Sequence, residues 1–549
     1  MSYLGGQPVL ILKEGASRSR GRDAQRSNMM AARVVSDVVK STLGPRGMDK
    51  MLVDTLGDVT VTNDGATVLD EIDVQNPSAK MMVEVAKTLD KEVGDGTTTS
   101  VVLAGELLKR AEELLDQEVH PTTIVAGYKK AAEKALEALG EIATTVSLDD
   151  RATLKKVAIT SMLGKDLGGA RDHFADIAID AVRMITEKRG TSSSADIDNI
   201  QLIKKEGKSL LDTSLIKGII VDKEVVNPAM PKSVKNPKIA LIDCALEIEK
   251  TEISAEIRIR DPTQMKAFLD EETRMMRDMA DKIKASGANV LLCQKGIDDT
   301  AQHFLAKGGI MAARRVKKSD MEKLARATGG KMVSNLDDLK SDDLGNAEMA
   351  EERRVGDDKN IFIEGCKDPK SVSILIRAGL ERLVDEAERS LKDGLYVVAD
   401  IVNKNKVVAG GGAVETELAK RLRDYATKIG GREQLAIESF AESLEIIPRT
   451  LAENSGFNTI DIMVDLRAAH EKKDGVNMGV DALGAGVKDM EKMGIIEPLR
   501  VKEQSIKSAT EAACMILRID DVIASAKAPP APRMPPGGPG GPGGMGMGM

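Results

Sequence analysis

At 549 residues the chain exceeds what one hydrophobic core ordinarily supports, so two or three domains are expected. Its 42% hydrophobic and 30% charged residues fit a soluble globular protein, and a net charge of −8 argues against the basic domain of a general nucleic-acid binder. Aromatic residues make up only 2% with no Trp, so aliphatic side chains and 27 Met must fill the cores. Cys244, Cys293, Cys366 and Cys514 stand far apart with no C-x-x-C pair, a spacing wrong for a zinc knuckle and expected of buried reduced thiols. The apolar run 9–12 is too short for a signal peptide and no stretch approaches membrane-spanning length, which predicts a cytoplasmic protein without a membrane partner.

Residues 1–21 read as a mobile arm. A helix is expected from Asp23, carrying Met29, Met30, Val34, Val35, Val38 and Val39 and stopped by Gly44-Pro45. Residues 51–53 and 59–62 read as a hairpin around Gly57-Asp58, and Asn63-Asp64-Gly65 turns again at once. Helices then dominate to about residue 145. Between about 220 and 370 strands at 239–242, 290–293, 310–313 and 332–334 alternate with helices at 298–305 and 320–328, which predicts an α/β unit. The second of those helices carries a capping-box pattern, Ser319-x-x-Glu322, and stops at Gly329-Gly330.

Within that unit lies a polar insertion, 247–260, followed by a helix from Asp261-Pro262 to near Gly287. Its stripe of Met265, Phe268, Leu269, Met276, Met279 and Ile283 reads either as core packing or as a surface for non-native chains. A strand at 372–376 leads to a helix over 380–402, then Val408-Ala409-Gly410-Gly411-Gly412, more helix, and Ile495-Ile496-Glu497-Pro498 before a final helix from Val501. Residues 528–549 are almost wholly Pro, Gly, Met and Ala, the composition of a disordered tail. Helical sequence flanks the α/β centre on both sides. If the two ends fold together, the middle is an insertion.

The most informative stretch is Gly94-Asp95-Gly96-Thr97-Thr98-Thr99, which feeds into a helix with Val101, Ala104, Leu107, Leu108 and Ala111 at helical spacing. It admits two readings. Glycines let the backbone approach an anion, helix-start N–H groups and three hydroxyls can donate to phosphate, and one carboxylate can hold Mg²⁺. Equally, an Asp-Gly turn can simply precede a threonine-capped helix. No Walker A motif exists: Leu202 stands where Gly207-Lys208-Ser209 needs its first glycine, and Gly164-Lys165 is followed by Asp166. Asp393 lies off the apolar face of its helix, beside Arg389 and Ser390, and by pattern is a solvated surface charge.

Taken together, residues 43–51, Thr62-Asn63-Asp64-Gly65, Gly94 to Thr99, Val408 to Gly412 and residues 494–502 stand in the order and spacing of group II chaperonins, and the chain resembles an archaeal thermosome subunit from about residue 20 to 527. The resemblance implies a multidomain α+β fold. A mainly helical, discontinuous equatorial ATPase domain would be formed by 1–149 and 408–549, a small intermediate domain by 150–219 and 374–407, and an α/β apical domain by 220–373, with a helical lid protrusion at about 247–285. It implies an ATP-dependent chaperone of two stacked rings of eight or nine subunits, of one kind or of paralogous kinds, that encloses non-native protein clients.

By the same resemblance Asp95 is the Mg²⁺ ligand, and Gly94, Gly96, Thr97, Thr98 and Thr99 meet the phosphates of ATP. Leu43, Gly44 and Pro45 lie along the nucleotide, Gly411 and Glu497 stand near the ribose, and Lys165 senses the γ-phosphate. Asp64 and Asp393 are the catalytic pair. Lys392 and Gly394 replace a usual His and Ala around Asp393, and Ala378 stands where glycine is common. The competing function is a small-molecule phosphotransferase or stand-alone ATPase, which needs an acceptor pocket that no motif supplies.

Overall fold

The computed structural model describes residues 2–4, 7–9, 17–165, 167–190, 192–248, 262–484 and 486–524. Most of the polar insertion expected at 247–260 and the whole tail at 528–549 lie outside the described residues.

The two ends of the chain share one core. Helices Gly21–Lys40, Pro77–Val93, Thr97–Asp116 and Pro121–Ile142 pack against Ala413–Ile429, Gly431–Leu444 and Leu499–Leu517. Their apolar stripes interlock: Val101, Leu107 and Leu108 meet Leu418, Phe440, Ile506 and Ala513, all buried. With no Trp available, small and branched side chains let these helices approach closely. Tyr128 and Phe440 form an edge-to-face pair at 5.7 Å, and the Tyr128 hydroxyl donates to the Leu107 carbonyl at 2.8 Å.

A second core surrounds helices Arg151–Ser161, Arg171–Ile185 and Glu381–Asn403. One face is closed by strands Ile200–Glu206, Val372–Ala378 and Ser214–Ile216, the first two parallel and joined residue by residue from Ile200↔Val372. Strand Lys406–Ala409 ties both halves of the chain together, lying between Ile496–Pro498 and Thr144–Thr145.

The third core, between 219 and 366, is α/β. Parallel strands Met311–Ala313, Val290–Cys293, Lys238–Ile242 and Met332–Val333 lie side by side in that order. Runs such as Ile239-Ala240-Leu241-Ile242 are apolar at every position because helices cover parallel strands on both faces. An antiparallel sheet of Gly218–Val221, Asp358–Glu364, Met349–Val355 and Ser233–Lys235 completes it.

Several expectations change. Ser17–Arg20 is a strand paired with Asp521–Ala524, so that part of the 1–21 arm is anchored; the backbone amide of Gly21 donates to Asp520 at 2.7 Å beyond it. The capping box at Ser319 does not form: helix Lys318–Thr328 starts earlier, its N-cap is Lys317, and Ser319 sits inside the first turn. The expected end does hold, Gly329 adopting φ +73°. The Met/Phe stripe on helix Pro262–Ala285 divides. Met276 and Ile283 are buried in the α/β core, whereas Met265, Phe268 and Leu269 are 53%, 44% and 52% exposed. Cys293, Cys366 and Cys514 are buried free thiols as expected, and Cys244 is free but partly exposed. No described helix is long and apolar enough to cross a membrane.

Candidate functional site

Helix Pro77–Val93 ends where Gly94 turns left-handed, φ +72°, and helix Thr97–Asp116 begins where Gly96 does the same, φ +81°. Two such residues in three reverse the chain tightly, which an L side chain would resist by about 1–2 kcal/mol each. Gly96 is also crowded: a Cβ there would stand 2.7 Å from Ser505 Oγ and 2.9 Å from Val501 Cγ1. Because the N-cap is glycine, no side chain caps the first amides of the helix. Those N–H groups and the positive end of the helix dipole are left for an anion. Asp95 Oδ1 accepts from the Gly96 amide at 2.6 Å.

Asp64 caps the neighbouring helix Gly65–Glu71, its Oδ2 accepting from Thr67 N at 2.9 Å and Thr67 Oγ1 at 2.7 Å. Its Oδ1 has no hydrogen-bond partner among the described residues. Asp393 is not the solvated charge its helix pattern suggests. The face carrying it packs beneath helix Arg151–Ser161 and the loop after it, and Lys165 Nζ donates to Asp393 Oδ2 at 2.6 Å with both side chains nearly buried. Asn63 Nδ2 donates to the Gly164 carbonyl, holding that loop over Asp64.

All the residues singled out from the sequence line one cavity of about 210 Å³: Leu43, Gly44 and Pro45, Asp64, Gly94 through Thr99, Lys165, Asp393, Gly411 and Glu497. Leu43 is fixed from behind, its carbonyl accepting from Asn454 Nδ2 at 2.8 Å. At Glu497, Lys502 Nζ bridges Glu497 Oε2 and Glu415 Oε1, each at 2.8 Å.

Sequence reasoning missed several walls. Thr160 and Ser161 come from the end of a helix, Ile447 and Leu451 from the side of another, and 480–483 from the end of strand Met478–Val480 and the loop after it, in which buried Asp481 accepts from Gly484 N at 2.9 Å and Lys488 Nζ at 2.7 Å. Lys502 was also missed, though it ends a quoted motif. The others have no local signal, because each enters the site through tertiary packing.

The electrostatics follow from burying unequal numbers of charges. Burial raises Asp95, with the Gly96 amide, Lys165 and Lys502 opposing. Burial also pushes Asp393 up, opposed by the Lys165 ammonium. For Lys165 burial acts to lower the pKa, but Asp393 and Asp64 outweigh it and keep the ammonium charged. Glu497 is raised by burial against the pull of Lys502. Carboxylates held at this tension accept a cation or a proton readily.

Among the described residues no group of three or more His, Cys, Asp or Glu could hold a metal ion by itself. Mg²⁺ typically takes one or two carboxylates and completes its shell with phosphates and water, a demand that the single Asp95 carboxylate can meet. Asp95 beside uncapped amides is such a partial site.

A cleft that pairs uncapped helix amides with buried carboxylates, on a multidomain α+β frame, suits a nucleotide-binding protein, and the chain belongs to the TCP-1/cpn60 chaperonin family, whose model matches residues 35–527. Within that family it is a group II chaperonin. It is 60% identical over 527 residues to thermosome subunit beta of Thermococcus kodakarensis, 96% of each chain being covered. It is 60% identical over 521 residues to a thermosome subunit of Methanopyrus kandleri, 95% of each, and 58% identical over 525 residues to thermosome subunit alpha of Archaeoglobus fulgidus, 96% of each.

Proposed function

We propose that this chain is an ATP-hydrolysing subunit of a double-ring chaperonin that encloses and folds non-native proteins. The observation that carries the reading is the convergence of Asp64, Asp95 and Asp393, the first and last more than three hundred residues apart in sequence, on one cleft beside uncapped helix amides. The phosphotransferase reading is not favoured: relatives matched over the whole chain are thermosome subunits.

The amides of Thr97, Thr98 and Thr99 and their hydroxyls bind the triphosphate, and Leu43 to Pro45, Gly411 and Glu497 seat the rest of the nucleotide. Asp95 would hold Mg²⁺, which would supply charge neutralisation for the leaving group. Asp64 and Asp393 each present one carboxylate oxygen without a hydrogen-bond partner among the described residues. Together they orient water and take its proton, while Lys165 holds Asp393 and reports the γ-phosphate to the loop that carries it.

The domain division 1–149 with 408–549, 150–219 with 374–407, and 220–373 is supported by the three hydrophobic cores. The described helix Pro262–Ala285 is read as part of the lid protrusion, its exposed Met265, Phe268 and Leu269 suiting clients or neighbouring protrusions. The assembly is read as two rings of eight or nine subunits, and relatives named alpha and beta support the presence of paralogues. Free thiols fit a reducing cytoplasm.

Asp393→Ala is expected to abolish ATP turnover while nucleotide binding and ring assembly persist, measured as steady-state phosphate release beside equilibrium binding. Near-normal hydrolysis would remove the catalytic role.

A further inference from the structure

Behind the catalytic pair lies a second cavity, of about 430 Å³. It shares Asp64, Gly94 and Asp393 with the nucleotide cleft, so these residues form a partition between the two spaces. Gly411 and Glu497 line only the front space. The rear cavity therefore meets the front one at the carboxylates, away from the ribose end.

In-line hydrolysis requires water on the side of the γ-phosphate opposite ADP. With the front cleft filled by nucleotide, the rear cavity is the space that reaches that side. Its charge decides what it can carry. Lys392 is paired with Glu388 at 3.0 Å, Arg389 with Glu386 at 2.9 Å and Lys165 with Asp393 at 2.6 Å. What remains is Asp64, Asp90 and Asp198 against Lys91 and Lys323, the latter donating to the Ile200 carbonyl at 3.3 Å. An acidic remainder repels a phosphate anion and suits water and protons.

We propose that the rear cavity delivers the attacking water and drains its proton, with Asp90 relaying between Asp64 and solvent. The inference rests on the reading of Asp64 and Asp393 as the catalytic pair. The water oxygen forms the new bond to the γ-phosphorus as the bond to the bridging oxygen of ADP breaks, that electron pair staying on ADP. The released proton passes to the Asp64 carboxylate, through cavity water to Asp90, and out. Asp90 touches no reacting atom; it acts through Asp64.

Asp90 is faced by Asp64 from the partition, Asp95 from the phosphate loop, Lys165 from the loop above, and Lys392 and Tyr396 from helix Glu381–Asn403. Asp198 and Lys323 close the remaining walls. Burial first, then Asp64, pushes Asp90 up to about 6, a value suited to handing a proton on near neutrality.

The test is kcat for Mg-ATP hydrolysis against pH on the assembled full-length chain. Asp90→Asn is expected to lower kcat roughly tenfold, less than the roughly 10²–10⁴-fold of a group that exchanges a proton with the substrate directly, because Asp90 acts through Asp64, with nucleotide affinity unchanged. The acid limb near pH 6 should vanish with it, and Asp90→Glu should restore both. Leu202→Trp, which fills the cavity from its wall, should slow turnover without moving the profile. Wild-type kcat and profile in Asp90→Asn, or a wild-type rate in Leu202→Trp, overturns the rear route. Asp393→Ala separates the two failures: if it still hydrolyses ATP, the catalytic pair itself is wrong; if it is dead while both rear variants run normally, only the route is wrong.

Discussion

Gly394 shows how a single residue can be misjudged from its own helix. Glycine inside a helix costs about 1 kcal/mol relative to alanine, so it reads as a defect next to Asp393. In the fold it faces Met162, whose Cε occupies the place a Cβ would take, so the missing side chain lets the Lys165 loop settle onto the helix that carries Asp393. Asp400, two turns further along, is a second case. Its Oδ1 accepts from Arg500 Nη1 at 2.8 Å, while Oδ2 is buried without a hydrogen-bond partner. Burial, opposed by Arg500, pushes the carboxyl up to about 7. A folded-state value raised above the unfolded 3.8 lends stability that is complete below 3.8 and is lost as pH rises through about 7. Asp400→Asn is therefore expected to flatten the fall in thermal midpoint over that window, checked by unfolding at a series of pH values.

At the scale of elements, helix ends separate pattern from structure. Ser319 and Glu322 have the spacing of a capping box, yet the helix begins a residue before Ser319 and leaves it nothing to cap. Asp150 caps helix Arg151–Ser161, accepting from Ala152 N at 3.1 Å, Thr153 N at 3.2 Å and Thr153 Oγ1 at 2.6 Å. Asp150→Ala is expected to destabilise by about 1 kcal/mol and Ser319→Ala by under about 0.5 kcal/mol, compared as shifts in denaturation midpoint. The order of helices and strands was legible because periodicity and Gly or Pro stops are local signals. The strand at Ser17–Arg20 was not, since its partner lies some five hundred residues away. The same reason hid the cleft walls at 160–161, 447, 451 and 480–483, and made Asp393 look like a surface charge until Lys165 stood against it.

For the whole molecule, the topology sets the Gly94–Thr99 turn beside the core shared by the chain ends, and the helix that carries Asp393 in the middle core. Movement of that middle core relative to the ends is therefore expected to make or break the meeting of Asp64, Asp95 and Asp393, which would carry nucleotide state toward the α/β unit. Deleting 250–280 is expected to leave ATP turnover within about twofold while abolishing protection of an enclosed client from protease, since none of the cleft residues lies in that segment.

The most direct test of this account is a structure of the assembled chain with Mg²⁺ and a non-hydrolysable ATP analogue. The account predicts the metal on Asp95 and the terminal phosphate over the amides of Thr97 to Thr99, with Asp64 and Asp393 within hydrogen-bond reach of one water in line behind it. An analogue bound outside this cleft, or a terminal phosphate with either aspartate turned away from that water, would contradict it.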